Sequence, residues 1–207
     1  MLKVAVLVSG GGTNLQAILN KLEEGYLPNV NIVTVISSSP EAYALERAEK
    51  YDIPTKVINR KEYSDIQIFS ETILEYLKSL EAEIIVFAGF NYILSGKFLA
   101  EYKNKMVNVH PSLIPAFCGK GFYGLEPHKK ALEYGVKVVG ATIHFVTEEC
   151  DGGPIILQKP VCVKEGDTPE LLQKRVMEEA EWEILPEALK LLSEGRVQVE
   201  GRIARIL

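Results

Sequence analysis

An apolar, valine-rich run from Lys3 to Val8 passes directly into Ser9-Gly10-Gly11-Gly12-Thr13-Asn14, and Leu15, Ile18, Leu19 and Leu22 follow at helical spacing. A buried strand that turns through glycines into a helix must lay that helix back on its own sheet, which points to a parallel α/β architecture. The same turn makes a ready anion site. Glycines allow close backbone approach, and the first N–H groups of the helix have no partner within it. Gly11, Gly12, Thr13 and Asn14 are therefore candidate anion ligands, although a turn of this kind also serves topology alone.

The alternation continues. Asn31 to Ile36 reads as a strand, Pro40 to about Tyr51 as a helix, and Lys56 to Ile58 as a short strand. Ser64 with Gln67 resembles a capping box, leading a helix whose Ile66, Phe69, Ile73, Leu77 and Leu80 form one stripe. Glu83 to Ala88 is the next strand, followed by Gly89-Phe90-Asn91-Tyr92-Ile93-Leu94 as a possible pocket wall; then comes a strand from Lys105 to Val109. Beyond about residue 100 the pattern becomes strand-rich. A helix from Pro127 to Tyr134 precedes a strand, Val138 to Val146, with Val139, Ala141, Ile143 and Phe145 on one face and Thr142 and His144 on the other. A polar turn from Thr147 to Pro154 leads to a strand from Ile155 to Val163. Thr168 and Pro169 fit an N-cap and first-turn proline of a helix running to about Ser193, with Pro186 expected to kink or divide it, and Val197 to Ile206 reads as a closing hairpin. The expectation is one α/β domain over 1–207: a mostly parallel twisted sheet flanked by helices, Rossmann-like in its N-terminal half (1–100), with an antiparallel extension in the C-terminal half (101–207).

Several function classes are excluded. The dinucleotide fingerprint fails because Leu15 stands where its third glycine belongs and Ser37-Ser38-Ser39 replaces the expected acid. The G-x-x-x-x-G-K-[ST] phosphate loop is absent. A net charge of −5 argues against nucleic-acid binding but not against a small anionic ligand. No apolar run reaches the roughly 18 residues of a membrane span, and the N-terminus carries no signal pattern, so a cytoplasmic protein is expected. Cys118, Cys150 and Cys162 are scattered and read as free thiols, Cys118 as an inert loop thiol, and the three histidines lack zinc-ligand spacing, so no metal is expected.

The stretch Asn108-Val-His-Pro-Ser-Leu-Ile-Pro-Ala-Phe117 carries the chemistry. Residues two apart on a strand share a face, so Asn108 and His110 project together, and Pro111 ends the strand beyond them. The C-terminal ends of parallel strands are where α/β ligands bind. From spacing alone this pair is either a strand end with a capping histidine or half of a site. With Asp151 from the polar turn it would suit addition to a carbonyl. The amide donates to an oxygen gaining charge, the imidazole moves the proton, and the carboxylate fixes or charges the imidazole. Spacing does not bring Asp151 to His110, and a solvated turn aspartate is the commoner case. Ser112 lacks a nucleophile elbow, so the attacking group would come from a substrate. His144 reads as a packed structural residue and His128 as a surface one.

Four segments in order, Val8-Ser-Gly-Gly-Gly-Thr-Asn-Leu-Gln-Ala-Ile18, Ala88-Gly-Phe-Asn-Tyr-Ile-Leu94, Asn108-Val-His-Pro-Ser-Leu-Ile-Pro115 and His144-Phe-Val-Thr-Glu-Glu-Cys-Asp-Gly-Gly-Pro154, resemble the glycinamide ribonucleotide transformylase family over nearly the whole chain. The resemblance implies transfer of a formyl group from the co-substrate 10-formyltetrahydrofolate to the amine of glycinamide ribonucleotide in purine biosynthesis, without metal or covalent enzyme intermediate, by a monomer or homodimer. It implies catalysis by Asn108, which polarises the formyl oxygen; His110, which stabilises and protonates the tetrahedral intermediate; and Asp151, which raises the histidine pKa and orders a proton-shuttling water. Gly11, Gly12, Thr13 and Asn14 would hold the substrate phosphate, and Glu181 its glycinamide end. Arg60, Asn91, Tyr92, Ile93, Leu94, Asn108 and the turn Thr147, Glu148, Glu149, Cys150 and Asp151 would form the folate site. The resemblance also suggests a cis Ile114–Pro115 bond. The chain departs from many members at Asn91-Tyr92, where they carry Met-Arg, at Glu126, where some carry histidine, and in the longer loop Cys118 to Tyr123. The match at Glu181 needs a one-residue shift. The rival readings are another 10-formyltetrahydrofolate enzyme, either a hydrolase or one with a different acceptor, and an ATP pyrophosphatase-type enzyme. The last expects Asp-Ser where Thr13-Asn14 stands.

Overall fold

The valine-rich run forms β1, Leu2–Val8, whose residues Val4 to Val8 have no exposed surface. In the computed structural model, which describes residues 1–207, β1 is flanked by β2 (Val30–Ser37) and β4 (Ile84–Phe87), both parallel to it. β3 (Thr55–Val57) adds to β2, also in parallel. Between these strands run α1 (Thr13–Glu23), α2 (Ala44–Glu49) and α3 (Ile66–Ser79), and α4 (Gly96–Glu101) follows β4. Burial of both faces explains why the strands read as continuous apolar runs rather than alternating ones. These elements belong to the first of two compact units, Met1–Val107.

The second unit, Asn108–Leu207, is built on antiparallel pairs. β6 (Val138–Phe145) runs antiparallel to β7 (Ile155–Cys162), and β8 (Val197–Glu200) to β9 (Ile203–Ile206), with β9 touching β7 through Ile155 and Ile203. α5 (Glu126–Tyr134), α6 (Pro169–Val176) and α7 (Trp182–Ser193) complete it. β5, Met106–His110, begins at the end of the first unit and finishes in the second. The parallel half and the antiparallel extension are thus as expected, and the two compact units follow one another in sequence with the break between Val107 and Asn108.

Four local expectations change. α2 begins at Ala44, not Pro40: Ala44 N–H bonds the Gly10 carbonyl at 3.1 Å, and its Cβ lies where a side chain on Gly12 would go, 2.5 Å from an added Cβ. α3 is capped by Asp65, not Ser64, because the Asp65 side chain accepts the Gln67 N–H at 2.7 Å and places a carboxylate at the positive helix end. The long C-terminal helix is interrupted at Met177–Glu181 by a π-helical turn, while Pro186 is absorbed inside α7. The wide turn ends just before α7, so the proline falls close behind its first turn and its missing donor affects only the bond to Trp182. Thr142, expected on the polar face of β6, is buried at 0% exposure; His144 beside it is buried at 2%, as its reading as a packed histidine expects.

Candidate active site

Asn108 and His110 leave β5 side by side, and His110 is 4% exposed. The turn beyond them is held by buried hydrogen bonds. Thr142 Oγ1 donates to the Ser112 carbonyl at 2.7 Å and accepts from Ile114 N–H at 3.1 Å, while Gln158 Nε2 donates to the Ile114 carbonyl at 3.0 Å. The Ile114–Pro115 bond within this turn is cis. A buried hydroxyl costs free energy unless it is bonded, so Thr142 is tied to this backbone path.

The polar turn after β6 brings Asp151 to the pair. Its Oδ2 is 3.5 Å from His110 Nδ1, and its Oδ1 is 3.6 Å from His144 Nε2. Asp151 itself has φ 54°, a left-handed conformation that aspartate tolerates better than most residues. The Gly119 N–H donates to Asp151 Oδ2 at 2.8 Å, and His110 Nε2 donates to the Phe117 carbonyl at 3.0 Å. The segment from Phe117 to Gly119 therefore contacts both the acid and the imidazole. Cys118 and Cys150 are free thiols near this carboxylate; burial first, and then the Asp151 charge, push both thiols up, away from the reactive thiolate.

His144 is the residue the sequence reading undervalued. Its Nε2 lies 3.2 Å from Asn108 Nδ2 and its Nδ1 lies 2.9 Å from the Phe145 carbonyl. The period-two pattern placed it correctly on the strand, but nothing local showed that this face meets Asn108 and Asp151. His128 is a correction: it was expected at the surface and is 1% exposed, because the face of α5 that carries Pro127, His128 and Ala131 is buried. Burial, and secondarily the His110 charge, lower its pKa to about 4. No group of three or more His, Cys, Asp or Glu is placed to hold a metal ion.

In the first unit the glycine turn matches the anion-site geometry. Gly12 has φ 71° and stands at the N-cap of α1, where a glycine offers no side chain of its own as a cap. Arg47 Nε donates to the Gly11 carbonyl at 2.8 Å, pinning the turn to α2. Arg60 lies in a single 3-10 turn, packed over the rings of Phe69 and Tyr92 at 5.7 and 5.9 Å and donating to the Tyr63 carbonyl. The structure thus brings Arg60 to Tyr92, while Asn91 and Ile93 are exposed and Leu94 is buried. Ser9, Ser38, Asn59, Lys61, Asn91 and Tyr92, all at or just past the carboxyl ends of β1 to β4, line a cleft of about 330 Å³. Of the other expected residues, Thr147 bonds the Glu149 carbonyl, Glu148 is exposed, and Glu149 pairs with Arg202. Glu181 is 5% exposed on the π turn.

Comparison with known proteins identifies the family. A formyl transferase family model matches residues 2–189. The phosphoribosylglycinamide formyltransferase of Haemophilus influenzae is 40% identical over 204 residues, covering 99% of this chain and 93% of that protein. The trifunctional purine biosynthetic protein adenosine-3 of Bos taurus is 45% identical over 205 residues, 97% of this chain, which spans only 19% of that longer protein. The crystal structure of glycinamide ribonucleotide transformylase 1 from Symbiobacterium toebii superposes with a TM-score of 0.93 at 43% identity, covering 100% of this chain and 94% of that one. No helix is long and apolar enough to cross a membrane. The chain belongs to the formyl transferase family.

Proposed function

We propose that this protein transfers the formyl group of 10-formyltetrahydrofolate to the amine of glycinamide ribonucleotide, in purine biosynthesis. The observation that carries the reading is the meeting of Asn108, His110 and Asp151 from separate elements of one unit, with the nearby Cys118 and Cys150 thiols pushed up, away from the thiolate a nucleophile needs. The substrate amine attacks the formyl carbon and the carbonyl oxygen gains the charge; the tetrahedral intermediate then collapses by breaking the bond from that carbon to N10 of the folate, which takes up a proton as the amine gives one up. Asn108 donates to that oxygen, and His110 supplies a proton once its Nε2–H leaves the Phe117 carbonyl, which now occupies the acceptor position. Asp151 faces His110 Nδ1 at 3.5 Å, where it orients the ring and orders the water that carries protons away.

Gly11, Gly12, Thr13 and Asn14 are assigned to the substrate phosphate, supported by the glycine turn at the N-terminus of α1, and Glu181 to the glycinamide end. Arg60, Asn91 to Leu94 and the Thr147 to Asp151 turn are assigned to the folate. Arg60 and Tyr92 are already in contact, which supports a shared wall. The protein acts in the cytoplasm, as monomer or homodimer, without metal. The deciding experiment mixes the protein with 10-formyltetrahydrofolate and follows folate release with and without glycinamide ribonucleotide. Release that requires the ribonucleotide supports transfer. Equal release without it identifies a hydrolase, and ATP hydrolysis without folate turnover identifies a pyrophosphatase.

A further inference from the structure

His144 contacts two members of the catalytic trio and is 2% exposed, yet it has no part in the chemistry described above. Its hydrogen bonds constrain its protonation. The Phe145 carbonyl, 2.9 Å from Nδ1, only accepts, so Nδ1 carries a proton. Phe145 is held in the β6–β7 pairing, its N–H bonding the Pro154 carbonyl at 2.8 Å, and Gly153 approaches its oxygen so closely that a Cβ there would fall 1.8 Å from it. In the neutral ring, Nε2 is then a bare acceptor. The group at 3.2 Å from it is the amide of Asn108, which can meet an acceptor only with its nitrogen end.

We propose that His144 is a positioning residue: as a neutral Nδ1–H imidazole it holds the nitrogen end of the Asn108 amide, leaving the second N–H of that nitrogen to bind the formyl oxygen. Were Asn108 turned over, its carbonyl would face the lone pair of Nε2, and a carbonyl at the reacting oxygen would repel the charge that develops there.

The neutral state is supported by the surroundings. Burial pushes His144 below the ordinary 6.5; the Phe145 carbonyl and Asp151 pull it back up, and the His110 charge lowers it further. Asp151 is the acidic group facing it, and that carboxylate also faces His110 and accepts from Gly119 N–H.

The first test is independent of any reaction. In the ¹⁵N-labelled free protein, the His144 ring nitrogens are expected to report a neutral Nδ1–H tautomer at pH 6.5; an Nε2–H tautomer or a charged ring overturns the proposal. The second test rests on the formyl-transfer reading. His144→Leu is expected to lower kcat by about 10²-fold, the scale of a misplaced reacting group, with folate KM little changed. His144→Gln, which offers a non-titrating acceptor, recovers most of that loss. In an Asn108→Ala background, His144→Leu costs nothing more, because the group it positions is gone. Losses that multiply in the double variant, or a Gln variant as slow as the Leu variant with the same fall in Tm, reduce His144 to a structural residue and overturn the proposal. A wild-type protein that does not transfer formyl overturns the reaction assigned above, and the nitrogen spectrum then decides the tautomer alone.

Discussion

His110 sits between two acceptors, the Phe117 carbonyl at 3.0 Å and Asp151 at 3.5 Å, at 4% exposure. A group so placed is worth most to a reaction that needs a proton delivered. His110→Ala is expected to lower kcat by roughly 10²–10⁴-fold, the range for general acid–base groups, with the fold intact by circular dichroism; an unchanged rate removes it from the mechanism. His128 makes a different prediction. Its folded pKa of about 4 lies below the ordinary 6.5, so as pH falls the unfolded chain takes the proton first. Stability from this group is complete above 6.5 and is lost progressively toward pH 4. At pH 5 the loss is about 2 kcal/mol by linkage. Urea unfolding of His128→Leu is therefore expected to show a shallower decline between pH 7 and 5 than the unaltered protein; parallel declines would mean the imidazole is protonated in place.

At the scale of elements, the connections decide where side chains end up. The loop from β7 to α6 is closed by Asp167, which accepts from both terminal nitrogens of Arg175 at 2.6 Å and from Lys164 N–H at 2.8 Å, with its side chain 4% exposed. The Arg175 guanidinium, foremost, holds the Asp167 carboxyl down to about 2, below its ordinary 3.8. The pair's contribution is complete above 3.8 and disappears as pH falls toward 2. Asp167→Asn is expected to cost about 2 kcal/mol at neutral pH, and the gap from the unaltered protein should close in acid. A gap that is constant with pH would assign the cost to packing instead. The same scale shows where a local reading misleads. Ser64 and Gln67 matched a capping box, but Asp65 is the residue whose extended backbone lets its side chain reach Gln67 N–H. Pro186 was expected to break the helix that the π turn at Met177–Glu181 interrupts instead.

For the molecule as a whole, two compact units carry different parts of the assigned work: Met1–Val107 holds the glycine turn, and Asn108–Leu207 holds the trio. If the folded chain binds a 10-formyl folate and the unfolded chain does not, a ligand at about 100 times its Kd adds roughly 2.7 kcal/mol. For a chain of this size that raises Tm by several degrees, at about 2–4 °C per kcal/mol. A thermal melt with and without the folate reads this directly, and no shift would remove the folate from the assignment.

Much of this was legible in the chain. Periodicity marked nearly every strand and helix, because a buried strand must be apolar and a helix must present one stripe, and both constraints act within a few residues. Asn108 and His110 were legible as a pair for the same reason, since two positions apart on a strand is a local geometry. Which of the two readings of that pair holds was decided by tertiary structure. Asp151 and His144 reach it through the pairing of β6 and the turn beyond, across more than thirty residues of chain. His128 went inward for a like reason: which side of α5 faces the core depends on what α5 packs against, and no spacing within the helix contains that information.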